Sequence, residues 1–326
     1  MKNITLLLNM LLCLIVFSSC SNEDKDILSN TPKEIRIVVP SFELDKVETR
    51  THILLPDYWG KTSEFRWNAN DTIGIIPNFG SQVYFTLNSG SGTDKASFDG
   101  GPWDLKTDQR EPKVEYAAYY PFVKDYTLVR TNIPVNYTGQ CFEPCVDYTL
   151  TSISNYDNIA SIPATATSER YIPFNFKHIN SLVEFRFSMP TGTKIKKIDI
   201  STNDNAKVFA LKGTYDITTM NTDPDNLKSA VDINVKEEDK TNIFTVETKN
   251  VTAINDSISV FCMMAPTNIS GKKFVVKVTK EDNTTTSFEC ANGGKDMKPG
   301  TWYICLDDAQ YNHYFKLQNY FSNLNK

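Results

Sequence analysis

The sequence predicts an all-β protein built as two tandem β-sandwich domains, and three observations carry that reading. From Glu34 onward, short runs rich in β-branched and aromatic residues alternate with clusters of Asn, Asp, Gly, Ser and Pro, the rhythm of sandwich strands and their turns. Sustained helical periodicity is missing until the C-terminal tail. The chain has 326 residues, long enough for two domains at about 100–200 residues each.

The N-terminus reads as an address. Lys2 precedes an apolar segment from Ile4 to Phe17, interrupted mainly by Thr5 and Asn9. That segment is short of the ~20 residues a helix needs to cross a bilayer, so residues 1–19 are expected to be a signal peptide. The junction Phe17-Ser18-Ser19-Cys20 looks like a bacterial lipobox, in which small residues precede a cysteine that is diacylated and becomes the new N-terminus. Membrane lipid is then the expected partner through Cys20, because each buried methylene gains about 0.8 kcal/mol and two chains make attachment stable. An ordinary secretory leader with a chance cysteine is the alternative. The run from Ser21 to Asp26 has no apolar residue and cannot pack, so residues 20–33 are expected to form a solvated tether. The run also resembles the acidic signal that sends Bacteroidota lipoproteins to the outer face of the outer membrane, although any flexible spacer would look similar.

Residues 34–170 are assigned to the first domain. Ile35, Ile37 and Val39 share one face of "EIRIVVPSFEL", and "FRWNANDTIGII" places a turn at Asn68 to Asp71 between Phe65/Trp67 and Ile73/Ile75/Ile76. "QVYFTL" and "ASFDG" flank the glycine-containing loop "NSGSGTDK", which suits a hairpin. "VEYAAYYPF" is an aromatic strand stopped by Pro121. A polar stretch from Tyr137 to Arg170 breaks the strand rhythm, and the boundary is placed near 170.

Residues 171–306 are assigned to the second domain. In "FNFKHINSLVEFRFSM" the apolar parity switches from Phe174 and Phe176 to Val183, Phe185 and Phe187, which signals a bulge or a bend between two strands. "KIKKIDIST", "KVFALKGTYDI", "NIFTVET", "SISVFCMMAP", "KKFVVKVTK", "TTSFEC" and "TWYICL" follow, enough strands for one sandwich. In the tail, residues 307–326, Tyr314, Leu317, Phe321 and Leu324 fall at helical spacing. The extended alternative, alternating Tyr311, His313, Phe315 and Leu317, is a poorer apolar stripe, so a short helix is expected.

The residues offer little chemistry. A formal net charge of −5 gives no support to nucleic-acid binding, which wants a basic patch. His52, His178 and His313 are far apart and none sits in H-x-x-H or H-E-x-x-H spacing, so no metal site is expected. No G-x-S-x-G elbow occurs, and "GSGTDK" lacks the lysine spacing of a phosphate loop. Asp223-Pro-Asp225 and Asn203-Asp204-Asn205 lack the calcium-loop pattern and are explained by turn chemistry. The expectation is a protein without catalytic residues or cofactor. Cys141, Cys145, Cys262, Cys290 and Cys305 lie beyond the tether; the odd number leaves at least one unpaired or engaged elsewhere. Cys141 and Cys145 are spaced to close a small disulfide loop, which geometry must decide. Asp71-Thr72-Ile73 and Asp256-Ser257-Ile258 look like the O-glycosylation signal of exported Bacteroidota proteins, with Thr72 and Ser257 as acceptors.

The lipobox, "VETRT" at 47, "FRWNANDTIGII" at 65, "ASFDG" at 96, "YAAYYPF" at 116, "FKHINSLVEFRF" at 176, "FCMMAPTNISGKKFVVKVT" at 261 and "KPGTWYICL" at 298 together resemble the fimbrillin-like (Mfa-like) lipoproteins of Bacteroidota. The blocks cover most of the chain in the family's order. The resemblance implies transthyretin-like, Greek-key sandwiches and a subunit of a type V pilus, as anchor, tip or stalk, or a related surface adhesin. In polymerising members, cleavage after an arginine removes an N-terminal strand, and the next subunit's strand fills the groove. Carried onto this chain, Cys20 matches the acylated cysteine, Arg50 before Thr51 the cleavage site, and Ile35, Ile37 and Val39 the replaceable strand. Other fimbrial subunits are then expected partners. The tail beyond Cys305 departs from the pattern, and a helical tail argues against a C-terminal donor strand. The rival reading is a stand-alone surface lipoprotein that binds glycans or host ligands through Trp59, Trp103 and Tyr58.

Overall fold

The computed structural model describes residues 36–39, 52–54, 64–77, 81–93, 95–100, 115–125, 127–144, 150–153, 159–161, 164–165, 171–174, 176–219, 232–291, 294, 296–313 and 316. The strands up to the first long connection are β1 (Arg36–Val39), β2 (His52–Leu54), β3 (Glu64–Arg66), β4 (Thr72–Pro77), β5 (Val83–Ser89), β6 (Ala96–Asp99) and β7 (Glu115–Tyr120). Next come β8 (Ile133–Asn136), β9 (Cys141–Pro144), β10 (Leu150–Ile153), β11 (Ile159–Ser161), β12 (Ala164–Thr165), β13 (Tyr171–Pro173), β14 (Phe176–His178), β15 (Ser181–Ser188) and β16 (Ile195–Thr202). The rest are β17 (Phe209–Ala210), β18 (Lys212–Tyr215), β19 (Ile233–Asn234), β20 (Lys240–Thr241), β21 (Phe244–Thr248), β22 (Ser257–Met264), β23 (Phe274–Lys280), β24 (Thr285–Glu289) and β25 (Trp302–Leu306). The fold is all-β, as its alternating pattern predicts, with helical residues 308–313 after the last strand.

One large sheet runs β13-β1-β6-β5-β4-β7-β11-β14, with β12 also paired to β7; a second runs β24-β23-β16-β21-β9-β10-β2-β3. A three-stranded sheet, β22-β15-β25, packs its Phe185 against Phe274 of the second sheet, with ring centroids 5.6 Å apart. The second sheet joins strands from both sides of residue 170, because β21 pairs in parallel with β9.

Two cores form. The smaller holds Trp67, Ile73, Ile75, Phe85, Phe98, Ala118, Tyr120 and Phe174, while the larger gathers Ile76, Ala117, Tyr119 and Phe142 with residues from Ile179 to Cys305. Alternation along β4 and β7 explains the division: Ile73 and Ile75 face one way and Ile76 the other, and Ala118/Tyr120 oppose Ala117/Tyr119. The first large sheet is therefore buried on both faces where these strands pair.

Several local expectations are met. The turn before β4 forms with Asn70 at φ 72°, and the Asn68 N–H donates to Asp71 Oδ2 at 2.7 Å. The β5–β6 loop is a hairpin whose Gly90 and Gly92 have positive φ, and it docks on the backbone of Trp67 through Gly92 N–H to Trp67 O at 2.7 Å. The parity switch is a bend: Phe174 lies in the small core, Val183, Phe185 and Phe187 in the large one. Buried Asn180 holds the crossing, accepting from Tyr137 Oη at 2.6 Å and, through its carbonyl, from Gly300 N at 2.8 Å. The tail is helical at 308–313, where the Gln310 N–H is capped by Asp307 Oδ1 at 2.8 Å; Tyr314, Leu317, Phe321 and Leu324 lie outside the described residues.

The stretch from Tyr137 to Arg170 differs from expectation, for it carries β9, β10, β11 and β12. These strands are two to four residues long, too short for side-chain alternation to register, and they are strands because neighbouring backbones pair with them.

Candidate functional site

The feature with most functional content is the placement of β1. It lies between β6 and β13, antiparallel to the first (Arg36 opposite Asp99, Ile37 opposite Phe98, Val38 opposite Ser97, Val39 opposite Ala96) and parallel to the second (Arg36 with Tyr171, Ile37 with Ile172, Val38 with Pro173). A strand from the chain's beginning thus closes a gap between two strands far apart in sequence. Its neighbour β6 sends Ala96 and Phe98 into the small core, and Phe174, which follows β13, enters the same core. Trp67 organises it, edge-on to Phe98 at 4.9 Å, Tyr120 at 5.2 Å and Phe176 at 5.7 Å between ring centroids. Taking β1 away would leave unpaired N–H and C=O groups on both β6 and β13, an open edge that invites another strand.

The other predicted site residues fall as follows. Ile37 and Val39 lie in β1. Cys20, Ile35, Arg50, Thr51, Tyr58, Trp59, Trp103 and Cys145 lie outside the described residues; β2 begins immediately after Thr51. Cys141 opens β9 and is partly buried. Thr72 opens β4, its hydroxyl donating to Asn70 O at 3.2 Å, and Ser257 opens β22. The acids beside them serve the turns: Asp71 Oδ1 accepts from Tyr120 Oη at 2.9 Å. Asp256 Oδ1 accepts the Thr191 N–H at 2.9 Å and its hydroxyl at 2.8 Å, contacts that hold its carboxyl below the usual range. His313 is exposed on the terminal helix. Among the described residues no group of three or more His, Cys, Asp or Glu is placed to hold a metal ion, and no helix is long and apolar enough to cross a membrane.

Sequence reasoning missed the buried amides. Gln140 is fully buried and imitates a strand toward β22, its Nε2 donating to Met263 O at 2.7 Å and its Oε1 accepting from Met263 N at 2.9 Å. Gln82 is likewise buried, accepting from Tyr119 Oη at 2.6 Å and donating to Val123 O at 2.7 Å. Single polar residues in turn-like contexts give no periodic signal, so nothing in their spacing marks them. The parallel partner β13 was hidden likewise, a three-residue strand ending in Pro173.

The family model for fimbrillin-like proteins matches residues 60–306. The chain belongs to the fimbrillin-like family. Among solved structures, this fimbrillin-like chain is similar to a candidate cell-adhesion protein of Bacteroides uniformis, at 12% identity and TM-score 0.49 over 86% of this chain and 95% of that one. A second such protein, from Bacteroides ovatus, matches at 12% identity and TM-score 0.49 over 85% and 92%. The fimbrial anchor protein Mfa2 of Porphyromonas gingivalis matches at 10% identity and TM-score 0.32 over 78% and 82%. These likenesses are distant, and membership rests on the family match. No curated protein matches the chain.

Proposed function

We propose that this fimbrillin-like chain is a non-catalytic cell-surface lipoprotein that serves as a subunit of a fimbria in cell adhesion and joins other subunits by exchanging β1 for a strand of a neighbour. The observation that carries the reading is the insertion of β1 between β6 and β13. The strand precedes Arg50, so one cut after that residue separates β1 covalently from everything it pairs with. An incoming strand then inherits a ready ladder on both sides, where main-chain bonds give affinity and alternate side chains give specificity. In the same reading Cys20 carries the lipid that holds the protein on the outer membrane. Thr72 and Ser257 are glycan acceptors, Cys141 pairs with Cys145, and the chain divides into two interlocked sandwiches near residue 170.

The test is N-terminal and intact-mass analysis of protein recovered from the surface of the native cell, alongside an Arg50→Ala variant. The reading expects an acylated species beginning at Cys20 before processing and a lipid-free species beginning at Thr51 within any polymer, with no polymer from Arg50→Ala. Polymer formed by chains that retain β1 would sink the exchange mechanism. A non-acylated Cys20 would sink the anchor.

A further inference from the structure

Cys290 and Cys305 are both buried in the large core, 1% and 5% exposed, as free thiols, and the segments that carry them are hydrogen-bonded to each other. They belong to different layers. Cys290 follows β24 of the second large sheet and donates its N–H to Phe274 O of β23 at 2.8 Å. Cys305 lies in β25, the edge strand of the three-stranded sheet. The next residue, Ala291, donates its N–H to Leu306 O at 2.8 Å, so the chain at 290–291 is bonded to both sheets. A disulfide requires β-carbons about 3.5–4.5 Å apart, and the Ala291–Leu306 hydrogen bond holds together the two backbone segments that carry these cysteines. Neither half of the pair shows in the spacing of the sequence, where other cysteines compete for each.

We propose that Cys290 and Cys305 form a disulfide that ties the two sheets together, made by thiol–disulfide exchange while the chain folds outside the cytoplasm. This rests on the reading that the chain is exported, since cytoplasmic thiols are kept reduced. The oxidant is a disulfide, of an oxidoreductase or a small thiol. One cysteine thiolate attacks it and releases the first donor thiol; the second thiolate attacks the mixed disulfide and releases the other. Two S–H bonds are lost and one S–S bond gained, and the donor takes up two electrons and two protons. Exchange precedes closure of the sheets, because afterward both sulfurs are shielded, and the Cys305 thiol and burial push the Cys290 thiol up, away from the reactive thiolate.

The experiment uses the protein recovered from the native cell envelope, denatured in an alkylating agent before any reductant and mapped by digestion, with its N-terminal peptide read from the same digest. The same protein is also reduced, unfolded and refolded in a mixture of glutathione and glutathione disulfide, then mapped. The expected result is a peptide containing Cys290 linked to one containing Cys305 in both preparations. Reduction should lower the thermal midpoint by about 5 °C, a sensitivity that the Cys290→Ala/Cys305→Ala double variant should lack. Folded protein whose two cysteines are both alkylated after oxidative refolding, or are linked to other cysteines, would overturn the proposal. Free thiols in the envelope on a chain that begins at Cys20 would overturn it as well. Free thiols on a chain that keeps residues 1–19 tell against the export reading alone, and the refolded preparation then decides the pair.

Discussion

At residue scale, close contacts between paired strands carry stability, as where Gly74 of β4 lies opposite Tyr119 of β7. Gly74 faces the large core from β4, and a β-carbon there would lie 2.1 Å from Cε1 of Tyr119. That ring cannot retreat, since Tyr119 is fully buried and its hydroxyl is fixed by Gln82 and by the Val123 N–H at 3.1 Å. Gly74→Ala should therefore destabilise the protein by about 1–3 kcal/mol, the range of an overpacked core, as measured by urea unfolding. Burial raises the Tyr119 phenol to about 12, so it stays a neutral donor at any working pH. Asp204 shows the opposite shift. Its contacts with Lys272 first, and then with Thr202 and the Ala206 N–H, hold its carboxyl down at about 2. A folded value below the unfolded ~3.9 means that its stabilisation is present above pH ~4 and is lost as pH falls toward ~2. Thermal midpoints recorded from pH 5 to pH 2 should fall less steeply for Asp204→Asn than for the parent chain.

At element scale, the main devices are a removable strand and an amide that acts as one. Gln140→Ala would strand both main-chain groups of Met263 that it now satisfies, at a cost of about 1–3 kcal/mol, again readable in urea. Gln140→Glu should not rescue it, because a carboxylate cannot donate to the Met263 carbonyl. For β1, the chain shortened to begin at Thr51 should melt earlier, and a peptide covering residues 34–42 should restore it. The gain should approach 2.7 kcal/mol at about 100 times the peptide's dissociation constant; a midpoint that ignores the peptide would show that no groove persists. The period-two pattern of Ile35, Ile37 and Val39 made this strand visible in the sequence. Its partners were not visible, since pairing β1 with β6 and β13 is decided by hydrogen bonds across long chain separations.

At the scale of the whole molecule, the two cores lie on opposite faces of shared strands, so neither can be opened without disturbing the other. Urea unfolding followed by tryptophan fluorescence and by far-ultraviolet circular dichroism should give coincident transitions; two separated transitions would mean that the halves on either side of residue 170 fold independently. By itself the sequence determined the longer strands of the second half, β15, β16 and β21 to β25, the turn at Asn68–Asp71, the glycine hairpin, the bend after His178 and the helical start of the tail. Each of these is written locally, in side-chain alternation or in residues that favour a particular turn. Only the tertiary structure decided that β1 is clasped by β6 and β13, that short polar segments between 141 and 165 become strands, and that Cys290 meets Cys305. Those outcomes depend on which distant backbone offers a partner, and short-range patterns do not record that choice.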